Sequence, residues 1–221
     1  MLKNKLLTAL LAICVVIFVI TLSIGLPIYF RPFYYMQIDS LGLEERTGYT
    51  KEEIKEGYDE ILDFLTLPGA EYGTGVFASS SEGEGHFRDC KGLFTLNLAL
   101  LLISLAGGIA LVILNKFKVF EICRPFGFNF LFTCGTGTLA FFATLGGLCA
   151  INFDRAFEIF HAIFFPGKDN WMFNPYKDEI ILAMPQEFFM NCAILIASSI
   201  ILISIGFIAY GIVENRKRKE K

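Results

Sequence analysis

The sequence predicts an all-α integral membrane protein, with four transmembrane helices and a small extracytoplasmic cap made of a helix and a short hairpin. Three observations carry this. Of the 221 residues, 54% are hydrophobic and 19% charged, and the mean hydropathy is +0.56, a balance foreign to soluble domains. Four stretches, roughly residues 6–29, 93–114, 126–153 and 188–213, contain no Asp, Glu, Lys, Arg or His. Each reaches the ~20 apolar residues that a bilayer core requires. The charges are also segregated, which the net charge of −3 conceals.

The first span follows Lys3 and Lys5 and has the flavour of a secretory signal. Its length, and the absence of a small-x-small cleavage site around Gly25-Leu26-Pro27, make it a retained anchor. Tyr29, Phe30, Phe33, Tyr34 and Tyr35 come next and read as an aromatic belt at the outer interface. In the cap segment, residues 30–92, Thr50 and Glu53 form a capping box. Ile54, Tyr58, Ile61, Leu62 and Leu65 then mark one apolar helical face, and Leu67-Pro68-Gly69 ends it. The Gly- and Ser-rich stretch that follows suits a hairpin around Gly75 to Ser79. Such a segment is too small for an independent domain, so the chain is read as a single polytopic membrane domain over residues 1–221.

The second and third spans are joined by a loop holding Lys116, Lys118 and Arg124, with Cys123 beside them. After the third, residues 154–187 form a second outer segment. Phe153 at the end of the span and Phe157, Phe160 and Phe164 beyond it recur at helical spacing, which predicts an interfacial helix over Asp154 to Phe165 ended by Pro166-Gly167. Glycines 135, 137, 146 and 147 of the third span are read as close helix-packing positions. The fourth span runs into Arg216, Lys217, Arg218, Lys219 and Lys221. If the termini and the loop after the second span are cytoplasmic, that side carries 10 Lys and Arg against 3 acids, and the outer side 9 against 19. The positive-inside rule therefore predicts both termini in the cytoplasm.

Several chemistries are excluded. The six cysteines make no disulfide framework, because only Cys90 falls in an outer segment. There is no GxSxG elbow, and Gly135-Thr136-Gly137 lies inside a span rather than after a strand, so neither a serine hydrolase nor a nucleotide or nucleic-acid partner is expected. No cofactor is called for.

The two histidines, His86 and His161, lie in different outer segments, each within a few residues of a span. They could therefore meet at the outer face, where imidazole is the side chain best suited to proton transfer near neutral pH. Asp89 stands three residues from His86, and Glu158 three from His161, so each ring has a local acid able to fix its tautomer. Interfacial histidines also serve as amphipathic filler. A zinc site using both with Asp89 or Cys90 is a further reading, but no HExxH or CxxC spacing supports it.

The segments His86-Phe87-Arg88-Asp89-Cys90-Lys91, Phe160-His161-Ala162-Ile163-Phe164-Phe165-Pro166-Gly167, Trp171-Met172-Phe173 and Pro185-Gln186-Glu187-Phe188-Phe189 resemble the bacterial lipoprotein intramolecular transacylases. The resemblance covers nearly the whole chain, with Cys90 standing where an aliphatic residue is expected. It implies a reaction in which the sn-2 acyl chain of a diacylglyceryl-modified lipoprotein moves to the α-amino group of its N-terminal cysteine, giving a lyso-form lipoprotein. It also implies that His86 and His161 are catalytic, in a multi-pass protein of the bacterial cell membrane, and the charge asymmetry puts that site at the outer face. Trp171, which serves equally as an interfacial anchor, and Asp178, as a positioning carboxylate, are further supporting candidates. The expected partners are thus the diacylated lipoprotein and membrane lipids. The rival reading is a non-catalytic transport or scaffold protein with an acidic outer cap, although the spans lack the ionisable residues that coupled transport leaves at the midplane.

Overall fold

The computed structural model describes residues 1–220; Lys221, counted above among the basic residues at the C-terminus, lies outside them. All regular elements among the described residues are helical: α1 (Leu2–Tyr29), α2 (Pro32–Ser40), α3 (Leu43–Thr47), α4 (Lys51–Thr66), α5 (Ser81–Lys116), α6 (Phe130–Ile151), α7 (Phe153–Phe164), α8 (Ile180–Ala183) and α9 (Gln186–Lys219). Among the described residues, helices α1, α5, α6 and α9 are long and apolar enough to cross a membrane. The chain divides into two compact units. One comprises Met1–Ile24, Leu98–Ala150 and the chain from Leu195 onward, and the other Gly25–Asn97 and Ile151–Ile194.

In the first unit, α1, α5 and α6 share a buried cluster of Leu11, Leu111, Phe120, Phe130 and Cys134. Gly135 of α6 has the close-packing role its sequence suggests, since a Cβ there would come within 2.7 Å of the Ser204 carbonyl oxygen on α9. Gly137, Gly146 and Gly147 do not share it: a Cβ on any of them would meet nothing within 4 Å. The third span begins later than expected, at Phe130, because Pro125–Gly127 forms a short 3₁₀ turn in which Phe126 has φ of 54°.

The second unit is built on α4. The capping box of Thr50 and Glu53 is formed on both sides, and Ile54, Tyr58, Ile61, Leu62 and Leu65 are all buried. Burial of each such side chain stabilises the unit by about 1.5–3 kcal/mol. The aromatic belt reading needs correction for Tyr34 and Tyr35. Tyr34 is fully buried, stacks on Tyr58 at 3.7 Å and donates its hydroxyl to the Ala183 carbonyl at 2.8 Å. Tyr35 donates to Asp59 at 2.7 Å. Tyr34 is thus core, and Tyr35 is half-buried and held by its hydrogen bond, while Tyr29 and Phe30 remain exposed.

The expected hairpin is absent among the described residues, and a turn stands in its place. The Phe77 amide donates to the Thr74 carbonyl at 3.1 Å, Thr74 donates its hydroxyl to the Phe77 carbonyl at 2.7 Å, and Glu60 accepts from the Gly75 amide at 2.7 Å. Phe77 is drawn inward against Gly57, where a Cβ would lie within 2.6 Å of its ring. Burying one phenyl ring against a helix glycine wins over pairing two short polar strands.

Candidate active site

Both histidines belong to the second unit, and both are buried, at 8% exposure for His86 and 6% for His161. His86 sits in the charged opening of α5, ahead of the apolar span that begins at Leu93. The Ser80 hydroxyl accepts from the Gly83 amide at 3.1 Å and so caps this helix. Asp178 in turn accepts from the Ser80 amide at 2.8 Å and from its hydroxyl at 3.0 Å. Gly83 lets that carboxylate approach, since a Cβ there would collide with it. Asp178 therefore fixes the start of the helix that carries His86. His161 sits on α7, which begins at an Asn152 side chain accepting from the Arg155 amide at 2.9 Å. It ends where the Phe165 amide returns to the His161 carbonyl at 2.8 Å.

The two rings lie 5.8 Å apart, centroid to centroid. Trp171 stacks on His161 at 4.3 Å, nearly parallel at 22°. Phe165 and Phe173 turn edges against His86 at 4.9 and 5.5 Å. These walls are apolar, and burial pushes both imidazoles down from their ordinary value. His86 falls to about 4, with the charge of a protonated His161 as the next cause. The lowering at His161 is opposed by its hydrogen bond to Phe157. Neutral rings are therefore the resting state of the site.

The local acids do not do what their spacing suggests. Glu158 is taken by Arg155 at 2.7 Å, and Asp154 accepts from Gln186 at 2.5 Å. What orients His161 is the Phe157 carbonyl, 2.8 Å from Nδ1. A carbonyl only accepts, so Nδ1 carries the proton and Nε2 is left with its lone pair. Asp89 likewise pairs with Lys168 at 2.5 Å and accepts from Asn170 at 3.4 Å. Lys168 chiefly holds the Asp89 carboxyl below its usual range. The neighbour of His86 is Cys90, one turn along α5, with Sγ 3.4 Å from Nε2. Burial pushes that thiol up to about 12, so it keeps its proton.

Two buried polar atoms of this region have no partner among the described residues: Nδ1 of His86 and Oδ1 of Asn170. Unsatisfied buried groups are rare, and here one is a ring nitrogen beside the other histidine. Nothing in the sequence singled out Asn170. No group of three or more His, Cys, Asp or Glu able to hold a metal occurs among the described residues.

Asp178→Ala removes both bonds to Ser80 and leaves the half-buried cap unsatisfied, which should cost about 1 kcal/mol of stability. If Asp178 only positions α5, kcat should fall while KM stays near its wild-type value. A steady-state assay on the purified variant separates that from a substrate contact, which would raise KM.

The family model described as lipoprotein intramolecular transacylase Lit matches residues 9–189 of the chain. The chain is also similar to the crystal structure of the membrane-integral lipoprotein intramolecular transacylase Lit from Bacillus cereus. That match has 27% identity and a TM-score of 0.88, covering 99% of both chains. A variant of that protein with one histidine changed to arginine matches at TM-score 0.80 and 27% identity, over 99% of this chain and 95% of that one. A histidine-to-alanine variant matches at 0.81 and 26%, over 99% and 96%. No curated protein matches.

Proposed function

The chain belongs to the lipoprotein intramolecular transacylase family, and on that footing we propose that it moves the sn-2 acyl chain of a diacylglyceryl-modified lipoprotein onto the lipoprotein's own N-terminal α-amine. His161 is the base and His86 the oxyanion donor. The single observation that carries this reading is the pair of buried imidazoles 5.8 Å apart, one with Nδ1 committed to a carbonyl and the other with Nδ1 open.

The attacking nitrogen and the ester carbonyl are joined through Cα, Cβ, sulfur, two glyceryl carbons and the ester oxygen, so attack closes an eight-membered ring. No protein nucleophile is required, and the thiol of Cys90, held protonated, offers none. The enclosure of Trp171, Phe165 and Phe173 keeps the two ends of the substrate together, and orientation of this kind contributes several kcal/mol.

Attack forms the N–C bond and pushes the carbonyl electrons onto oxygen. The nitrogen becomes cationic and far more acidic, so a weakly basic neutral imidazole suffices to take its proton at Nε2 of His161. A donated Cys90 S–H to Nε2 of His86 leaves that ring's proton on Nδ1, where it meets the oxyanion. Collapse breaks the bond to the sn-2 oxygen, which takes the proton back from His161. The products are an amide and a free glyceryl hydroxyl. The Oδ1 of Asn170 can accept from the attacking amine and aim it.

We place both termini in the cytoplasm and the site at the extracytoplasmic face, a reading supported by the charge asymmetry between the segments.

The test uses purified protein in vesicles and two synthetic diacylglyceryl lipopeptides of different mass, one with a deuterated sn-2 chain. Mass spectrometry should find the deuterated acyl group on the amine of its own peptide alone. Label on the second peptide would overturn the intramolecular step, and unmoved label the function itself.

The pH profile should belong to the substrate rather than the histidines. Falling pH charges an imidazole, and a depressed pKa defers that event, so His86 stays neutral down to about 4. The group that titrates first is the substrate amine, with a reference value of about 7.7–8.0. kcat/KM should therefore rise roughly tenfold per pH unit below about 7.5 and level off above about 8. A limb centred near 6.5 that disappears in a His86 variant contradicts this.

A further inference from the structure

The first unit contains a groove of about 840 Å³ along α1 and α6, remote in sequence from the histidines. At one end of the groove the Cys123 amide, in the loop before α6, donates to the Thr8 hydroxyl of α1 at 2.9 Å. Small side chains make the concavity: Ala9 and Gly137 line it, and a Cβ on Gly137 would meet nothing within 4 Å. Its character changes along its length. Lys5 and Arg124 stand at one end, Ile17, Ile20, Phe141 and Phe142 at the other, and no carboxylate lines it.

The two cations are not equivalent. Lys5 is the open one, whereas Arg124 reaches Glu214 at 3.5 Å and donates to Asn215 Oδ1 at 2.5 Å, which leaves its Nε as the buried donor without a partner among the described residues. At the same end lies Phe126, 92% exposed and held at φ of 54°. A bulky residue in the left-handed region is strained. What that strain secures is an aromatic ring presented at the rim, as aromatic side chains are placed at head-group level. From Lys5 to Ile20 the helix rises ~22 Å, somewhat more than the ~15 Å hydrocarbon depth of one leaflet.

A charged end, an apolar trough longer than one leaflet is deep and an aromatic at the mouth match one ligand class. We propose that this groove binds a single phospholipid with an anionic head group, its phosphate at Lys5 and Arg124 and one acyl chain laid along α1 and α6.

Native mass spectrometry of the delipidated full-length protein, titrated with phosphatidylglycerol or phosphatidylcholine of equal chain length, tests this. One phosphatidylglycerol adduct should form at about fivefold lower lipid concentration than the phosphatidylcholine adduct, the preference that one cation near an anionic head group confers. Lys5→Gln should lessen the preference, and Gly137→Phe should abolish the tight adduct with either lipid. Ala9→Phe fills the trough from the opposite helix and gives the same reading should Gly137→Phe fold poorly. Equal affinity for the two lipids overturns the head-group assignment. An adduct that survives in a folded groove-filling variant, or one displaced by the diacylglyceryl lipopeptide, which carries no phosphate, overturns the site.

Discussion

Replacing His161 by alanine should slow acyl migration by about 10²–10⁴-fold, the range that a positioned general base supplies. The geometry makes the effect specific to one atom. The Phe157 carbonyl, 2.8 Å from Nδ1, leaves Nε2 as the basic nitrogen, and the indole of Trp171 at 4.3 Å holds the ring in plane. Glutamine carries an amide nitrogen to about the reach of Nε2 but has no basic lone pair there. His161→Gln should therefore be as slow as His161→Ala, with KM little changed in both, since a base is needed only once attack begins. Single-turnover conversion of a labelled lipopeptide measures this directly. A glutamine variant with near-normal rate would remove His161 as base. Trp171→Phe, which retains a stacking face, should sit between wild type and alanine.

Much of the architecture was legible because its causes are local. The spans follow from unbroken apolar runs, and α4 follows from a cap and a face that lie within one segment. The ends of α5 and α9 were harder, because polar residues 81–92 extend the helix of span two and the basic tail extends that of span four. Hydropathy reports where a helix is apolar, not where its hydrogen bonds stop. Tyr34 and Tyr35 illustrate a different limit. An aromatic run beside a span looks interfacial until its partners are known, and those of Tyr34 are Tyr58 and a carbonyl 149 residues away.

The site divides in the same way. Two histidines flanking spans could be seen to converge, since there were only two and both chain paths led to the same end. Their orienting groups could not. Spacing offered Glu158 and Asp89, but a carboxylate goes to the best cation within reach. Arg155 lies one turn from Glu158, and Lys168 reaches Asp89 across 79 residues. A backbone carbonyl and a thiol took their places, and neither has a sequence signature. Asn170 was invisible for a related reason: its significance is a buried oxygen without a partner, a property of packing alone.

His86 should prove as necessary as His161 but fail differently. Loss of one oxyanion donor typically costs 10²–10³ in kcat, about 2.7–4 kcal/mol, and His86→Ala should fall in that range. The discriminating variant is His86→Asn. The amide nitrogen of asparagine follows Cβ and Cγ as Nδ1 does in histidine, so it can present a hydrogen-bond donor near the same place while having no basicity. If Nδ1 of His86 is the oxyanion donor, His86→Asn should recover a substantial part of the loss, whereas His86→Gln, which reaches toward Nε2, should not. Cys90 gives a finer reading. Its S–H, 3.4 Å from Nε2, favours the Nδ1–H tautomer, and weak bonds of this kind are worth about 0.5–1 kcal/mol. Cys90→Val should thus slow turnover roughly two- to fivefold while leaving the pH profile where the substrate amine sets it. Were His86 the base instead, asparagine would be as inactive as alanine, and the two histidines would exchange roles.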